Sequence, residues 1–157
     1  RRPLTPDTYN GDLYDWLATE LPGLFVEVVG RTVELGVLPE PLPPGPRPAM
    51  RCYPRQESDA AIDWFSGSHE IAALIRASSR PFPGAYTRLR GSVIRIWRAS
   101  STRYTDEFCA VPGQVLRHDE DGLVVACAQG ALSIEDWSAD DSEALPSRLT
   151  AQVRFET

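Results

Sequence analysis

Several residue types and patterns are scarce or missing in this 157-residue chain, and each absence excludes a class of protein. Its three cysteines are an odd number without C-x-x-C spacing, so the sequence indicates neither a disulfide framework nor a zinc site and favours a cytoplasmic location. No apolar run approaches the roughly 20 residues of a membrane-spanning helix. Neither a Gly-rich phosphate loop nor a metal-ligand cluster is present. We therefore expect a protein that has no metal centre and does not enter a membrane.

Lysine is absent as well, because all 16 basic residues are Arg, which we interpret as a compositional bias. The 22 acidic residues give a net charge of −6, and this argues against a broad nucleic-acid surface, since phosphate binding needs clustered positive charge. One local cluster stands out on the predicted strands. It consists of Arg88, Arg90, Arg95 and Arg98.

The chain divides by composition into residues 1–38, 39–59 and 60–157. Apolar spacing in the first region predicts two short helices, the second of which begins at Pro22 and is closed by Gly36. The middle region has six prolines in ten residues and predicts a stiff linker.

Residues 60–157 predict one helix followed by short strands. Ser66 is the expected N-terminal cap, Ile71 and Ile75 lie on the apolar face, and Pro81 ends the helix. Strands are predicted at 86–89, 93–99, 114–117, 123–126, 131–134 and 152–155. Arg90-Gly91 and Asp121-Gly122 are the expected hairpin turns, because their residues tolerate positive φ. The prediction is an α+β chain whose last region is a small OB-like antiparallel β-barrel.

Several short motifs occur in the order found in a known enzyme family. They are Leu13-Tyr14-Asp15 after Thr8, Ile62-Asp63-Trp64, Arg80-Pro81-Phe82-Pro83-Gly84-Ala85, Pro112-Gly113-Gln114-Val115 and Gly130-Ala131-Leu132. This order resembles the C-terminal part of the 10-formyltetrahydrofolate-dependent formyltransferases, which include the methionyl-tRNA and sugar-nucleotide enzymes. The resemblance implies the helical end of a catalytic domain at 1–38, a linker at 39–59 and an OB-like domain at 60–157.

The resemblance also implies what the parent enzyme does. It would transfer a formyl group from 10-formyltetrahydrofolate, bound by an upstream catalytic domain, to a primary amine. The family uses an Asn, a His two residues after it and a distant Asp. The only Asn in this sequence is Asn10, and the residue two positions after it is Asp12, not His. No catalytic residue is therefore expected in this segment, and whether the chain itself counts as an enzyme stays open.

The resemblance says less about the amine that accepts the formyl group and about the binding partners. The turn at Arg80–Ala85 and the acidic charge favour an amino sugar or another small-molecule amine over methionyl-tRNA, although tRNA and an oligomeric state both stay open. The alternative hypothesis is a stand-alone, non-catalytic binding or oligomerisation module with the same fold. A candidate substrate-binding group lies in the linker at Arg51, Tyr53 and Arg55, because the planar fork of Arg suits an anionic group.

The remaining candidates have structural interpretations. His69 is expected on a solvated helix face and His118 in a polar hairpin. Trp64, Trp97 and Trp137 are expected to fill the core or its seam with the helix, and the alternative is that one of them stacks on a base or ring.

Overall fold

The computed structural model describes residues 2–38, 40, 53–102, 109–120, 122–140, 149–150 and 152–156. They form two α-helices and five β-strands, which confirms the predicted α+β class. The chain divides into two compact units, one made of residues 1–11 and 56–157 and the other of residues 12–55. None of the helices in the described part combines the length and hydropathy that crossing a lipid bilayer requires.

The first helix, α1 (Asn10–Leu35), is continuous, so the prediction of two short helices separated at Pro22 is wrong. Proline costs the helix one hydrogen bond, but its fixed φ is helical. The apolar spacing also continues across it, from Leu17 and Leu21 to Leu24 and Val28, and this keeps one helical register. Gly36, at φ 67°, follows the last residue as predicted, and its N–H bonds to the carbonyl of Thr32.

The second helix is α2 (Ser68–Ser78), and its N-terminal cap lies one residue after the predicted Ser66. Gly67 is the cap instead, and the Glu70 carboxylate accepts its N–H at 3.3 Å. A carboxylate at this position satisfies an open donor and suits the positive end of the helix dipole. Ile71 and Ile75 are buried, as their spacing predicts.

The five strands are β1 (Ala85–Leu89), β2 (Ser92–Thr102), β3 (Val115–Asp119), β4 (Gly122–Ala126) and β5 (Ala131–Ala139). They form one antiparallel sheet in the order β1-β2-β5-β4-β3. Both predicted hairpins are present, and Arg90 and Gly91 both have positive φ, at 52° and 84°. The central pair, β2 and β5, is longer than the sequence predicts.

A short segment near the end of the chain, residues 153–156, joins the two edges of the sheet. At one edge, Val115 N–H bonds to the carbonyl of Val153, and Phe155 N–H bonds to that of Gly113. At the other, Glu156 N–H bonds to the carbonyl of Arg88. Edge strands otherwise leave a row of unpaired backbone groups, so this segment protects both edges at once. It forms isolated bridges here, where the sequence predicts a strand.

The core lies between α2 and the sheet and extends to this segment. Trp64 is 1% exposed, its ring stacks on Phe155 at a centroid distance of 5.5 Å, and its Nε1–H bonds to Thr87 Oγ1 at 3.0 Å. Thr87 Oγ1 in turn donates to the carbonyl of Glu156 at 2.7 Å. Trp64 therefore fills the core, as expected, and links the start of the domain to its last residues.

Candidate functional site

The outward face of β2 carries the Arg side chains that the sequence marks as a basic cluster. Arg95 points away from the core because its neighbours Ile94 and Ile96 are buried, as strand alternation requires. Its side chain is only 21% exposed. It donates from Nε to Asp140 at 3.1 Å, from Nη2 to Glu57 at 3.4 Å and from Nη1 to the carbonyl of Pro83 at 3.1 Å.

These partners fix the charge of Arg95. The hydrogen bond that Arg95 donates to Asp140 raises the pKa of the guanidinium above its ordinary value and outweighs the lowering from partial burial. Because its donors are directed to two carboxylates and a carbonyl, Arg95 braces the turn at Pro83 and the short 3₁₀ helix Glu57–Ala60. It is therefore an internal brace and does not present a free cation.

Two further Arg side chains on this face are paired in the same way. Arg98 Nε donates to Glu135 at 2.9 Å, and its guanidinium lies 5.4 Å from the ring centroid of Tyr9. Arg80 bonds to Asp136 at 3.3 Å and lies 4.6 Å over the Trp97 ring. The acidic partners belong to β5, the neighbour of β2. The carboxylates of β5 thus neutralise Arg98 and Arg80, which the sequence alone does not show.

Arg88 and Arg90 complete the predicted cluster, at the end of β1 and in the turn that follows. Both are exposed, and in the described ranges neither has an ion pair. Of the four Arg residues in the predicted cluster, Arg95 and Arg98 are thus neutralised by carboxylates, whereas Arg88 and Arg90 have no ion pair among the described residues. A role in binding an anion stays a prediction for these residues.

The linker candidates are only partly covered by the structure. Arg51 lies outside the described residues, whereas Tyr53 and Arg55 are described and exposed. Tyr53 is 72% exposed, and both residues belong to the unit formed by residues 12–55. Their role in substrate binding remains a prediction.

The tryptophans do not offer an open stacking platform. A Cβ built at Gly84 would lie 2.9 Å from the Trp97 ring, so the backbone covers one side of the indole closely. Trp97 Nε1–H donates to Ser138 Oγ at 3.0 Å. Trp137 packs edge-on against His118, with 6.4 Å between the ring centroids. These contacts support the structural interpretation of the tryptophans over base stacking.

A cavity of about 410 Å³ lies at the N-terminal end of α2. It is lined by Phe65, Ser66, Gly67, Ser68, His69, Glu70, Ala128 and Gln129. Its most enclosed hydroxyl, that of Ser68, is already bonded to Ser101 Oγ at 2.8 Å. Within the described residues, no hydrogen bond links His69 to a hydroxyl or thiol. The cavity therefore contains no activated nucleophile of the kind that acyl transfer would use.

Three further features of the described ranges bear on their chemistry. In them, no three His, Cys, Asp or Glu side chains come together as a metal site. Burial raises the pKa of the Cys127 thiol to about 12, which keeps it protonated and unreactive. The side-chain amide nitrogen of Asn10 is buried and has no hydrogen-bond partner among the described residues.

Sequence reasoning missed the residue that ties the start of the chain to the sheet. Tyr9 Oη donates to the carbonyl of Ala99 and accepts its N–H, both at 3.2 Å, beside an irregularity in the β2–β5 pairing. Both residues belong to the same compact unit. Nothing in the local pattern marks Tyr9, because its partner lies 90 residues further along the chain.

Comparison with known proteins shows to which family this fold belongs. Residues 55–153 match the family model described as formyl transferase, C-terminal domain. The methionyl-tRNA formyltransferase of Janthinobacterium sp. (strain Marseille) is 35% identical over 138 residues, which cover 87% of this chain and 42% of that enzyme. The enzyme of the same name from Ralstonia nicotianae (strain ATCC BAA-1114 / GMI1000) is 36% identical over 145 residues, covering 88% of this chain and 41% of that enzyme.

A solved structure agrees at the level of the fold. A HypX variant from Aquifex aeolicus superposes with a TM-score of 0.58 over 89% of this chain and 24% of that chain, at 18% identity. The chain spans about two fifths of the length of the curated relatives described above. Since the family model matches most of its residues, the chain belongs to the formyl transferase C-terminal domain family.

Proposed function

We propose that this chain is the accessory part of an enzyme that transfers a formyl group from 10-formyltetrahydrofolate to a primary amine. The observation that carries the proposal is the family match over residues 55–153, since it joins the fold to a formyl-transferring family. The folate donor would bind to the part of the enzyme that lies outside this chain. That part would also supply the residues that stabilise the tetrahedral intermediate and remove the proton of the amine.

The described residues support this division of labour. Among them no three His, Cys, Asp or Glu side chains come together as a metal site, and no hydrogen bond links His69 to a hydroxyl or thiol. What they do contain is a braced sheet, in which Arg95 and Trp64 hold distant segments together. A rigid support next to a catalytic part suits the positioning of a substrate, because orientation contributes to the rate.

For the acceptor, we favour an amine on a small molecule such as an amino sugar. A tRNA acceptor would need several cationic groups directed at phosphates, and each contact would add to the salt dependence of binding. On the outer face of β2, however, Arg95 and Arg98 are bonded to carboxylates, and the net charge is −6. The exposed Arg55 would then contact an anionic group of the substrate.

Methionyl-tRNA is the second candidate acceptor, and the printed name of the relatives favours it. The two acceptors differ in a measurable way. Transfer to tRNA should weaken steeply between 50 and 200 mM salt, by about tenfold or more for a few phosphate contacts, whereas transfer to a small amine should change little.

The test is a formyl-transfer assay on the enzyme that contains this chain together with its catalytic part. Consumption of 10-formyltetrahydrofolate is followed with an amino sugar nucleotide and with methionyl-tRNA as acceptors. We expect turnover with one of them, none with the 157-residue chain alone, and a large loss when the Asn or His of an Asn-x-His pair in the catalytic part is changed. If the longer enzyme transfers no formyl group to either amine, the proposal is wrong and a non-catalytic binding module becomes the better interpretation.

A further inference from the structure

The 3₁₀ turn that precedes the sheet is held by its own hydrogen bonds. Gln56 comes directly before the 3₁₀ helix Glu57–Ala60 and has an extended backbone, with φ −105° and ψ 161°. Its N–H bonds to the Asp59 carboxylate at 2.8 Å, and its carbonyl accepts the N–H of Asp59 at 3.1 Å. After the turn, Ile62 N–H bonds to the carbonyl of Tyr86 on β1. The chain therefore enters the sheet through a short, ordered turn.

One side chain of the sheet reaches this turn. Arg95 on β2 donates from Nη2 to Glu57 Oε1 at 3.4 Å, across 38 residues of sequence. The guanidinium is itself fixed, because Nε and Nη2 both donate to the Asp140 carboxylate, at 3.1 and 3.3 Å, and Nη1 donates to the carbonyl of Pro83. Two parallel bonds to one carboxylate set the direction of the guanidinium plane. Glu57 thus bonds to a cation whose position two other segments determine.

The contact between Arg95 and Glu57 acts on position more than on stability. The Glu57 side chain is 66% exposed, and ion pairs at such exposure contribute little to the free energy of unfolding. Within the described ranges, however, it is the one ion pair between the sheet and the turn. Its loss should therefore allow the turn to move relative to β2 while the domain stays folded.

Arg55 comes directly before the turn and shares in this restriction. Its Cα lies within about 7 Å of the Cα of Glu57, because two residues of chain cannot span more. Residues 53–55 lie in neither a helix nor a strand, and Arg55 is exposed. A guanidinium that is already held near its binding position loses less freedom when it binds an anion. A fixed Glu57 should thus increase the affinity of Arg55 for an anionic group.

We propose that Arg95 is a positioning residue for substrate binding, which acts through Glu57 to hold Arg55 in place for an anionic group of the acceptor. A phosphate of an amino sugar nucleotide is a group that the planar fork of Arg55 suits. The inference rests on the proposed function for the identity of this acceptor. The hold of Arg95 on the turn is a property of this chain alone, so the two can fail separately.

Amide hydrogen exchange in this chain tests the hold on the turn. Glu57→Ala removes the partner of Arg95 on the turn and leaves the other contacts of that guanidinium in place. Glu135→Ala is the matched control, because Glu135 also pairs with an Arg of β2, Arg98, but belongs to β5. Exchange of the Asp59 amide, which is bonded within the turn, should accelerate in Glu57→Ala and stay unchanged in Glu135→Ala. Equal exchange in the two variants would overturn the proposal.

Kinetics of the enzyme that contains the catalytic part test the role in binding. If the fraction of enzyme with Arg55 in place falls to about a fifth, Glu57→Ala should raise KM for an amino sugar nucleotide about fivefold and leave kcat unchanged. Arg55→Ala should raise this KM about tenfold or more, because a hydrogen bond to a charged group is lost. Since Glu57 acts through Arg55, the double variant should have the KM of Arg55→Ala alone. Glu135→Ala should have the KM of wild type.

An acceptor without a phosphate separates positioning from a general loss of structure. With the same amino sugar lacking its nucleotide, all these variants should have the KM of wild type. Additive effects of Glu57→Ala and Arg55→Ala, a lower kcat at unchanged KM, or an equal rise in KM with both acceptors would overturn the proposal. Transfer to methionyl-tRNA but not to the sugar nucleotide would also overturn it and uphold formyl transfer. An enzyme that transfers no formyl group would refute the proposed function, and exchange at Asp59 would still decide whether Arg95 holds the turn.

Discussion

Replacing Thr87 by Val should lower the free energy of unfolding by about 3 kcal/mol although the change preserves volume. Thr87 is 3% exposed, and its hydroxyl accepts from Trp64 Nε1 and donates to the carbonyl of Glu156. Valine leaves the indole N–H buried without an acceptor, which costs about 1–3 kcal/mol, and the lost bond to Glu156 adds about 1 kcal/mol. The hydroxyl thus contributes more than its size suggests.

Urea unfolding followed by tryptophan fluorescence measures this loss. Thr87→Ser is the control, because it keeps the hydroxyl and removes only a methyl group, at about 1 kcal/mol. The expected order of stability is wild type, then Ser, then Val, with equal dependence of the unfolding free energy on urea. The reasoning would be refuted by a Val variant within about 0.5 kcal/mol of wild type, or by a Ser variant that loses as much as Val.

Two further predictions follow from buried or shielded groups. Tyr9→Phe removes the hydroxyl that bonds both backbone groups of Ala99, so amide exchange at Ala99 should accelerate and stability should fall by about 1–2 kcal/mol; unchanged exchange at Ala99 would contradict this. Burial raises the pKa of Cys127 from 9.0 to about 12, so the neutral thiol is favoured in the folded state. The free energy of unfolding should therefore be constant below pH 9 and decline as pH rises towards 12. The decline should be steeper in wild type than in Cys127→Ala. Parallel pH profiles of the two proteins in urea unfolding would contradict this prediction.

The hairpins of this fold are predictable from sequence because turn chemistry is local. Arg90-Gly91 adopts positive φ at both residues, as predicted. The hairpin of β3 and β4 is also present, although Gly122, which the sequence predicts in its turn, already pairs with Asp119 as the first residue of β4. The neighbour of β2 is not predictable in this way, because β2 pairs with β5 across most of the domain. Apolar alternation fixes which face of a strand is buried but does not say which strand lies beside it.

The candidate site shows the same limit. The Arg residues of β2 are visible in the sequence, whereas their neutralisation depends on the β2–β5 register. That register places Asp136 opposite Arg98 and so brings Glu135 within reach of Arg98 and Asp140 within reach of Arg95. The prediction that one helix ends and a second begins at Pro22 failed for a related reason. A proline marks a local weakness, but the apolar surface of α1 continues through it and keeps the helix intact.

The segment 153–156 also determines the order in which this domain can be completed during synthesis. It follows all five strands in the chain, and its bond from Thr87 to Glu156 spans 69 residues. A ribosome therefore releases α2 and the hairpins first, while β1 and β3 await the segment that will pair with them. Contacts of such long sequence separation form slowly, because the loop between them must close first. The last step of folding is consequently the one that secures the two outermost strands, and a translation pause after β5 would prolong the least protected stage of the nascent domain.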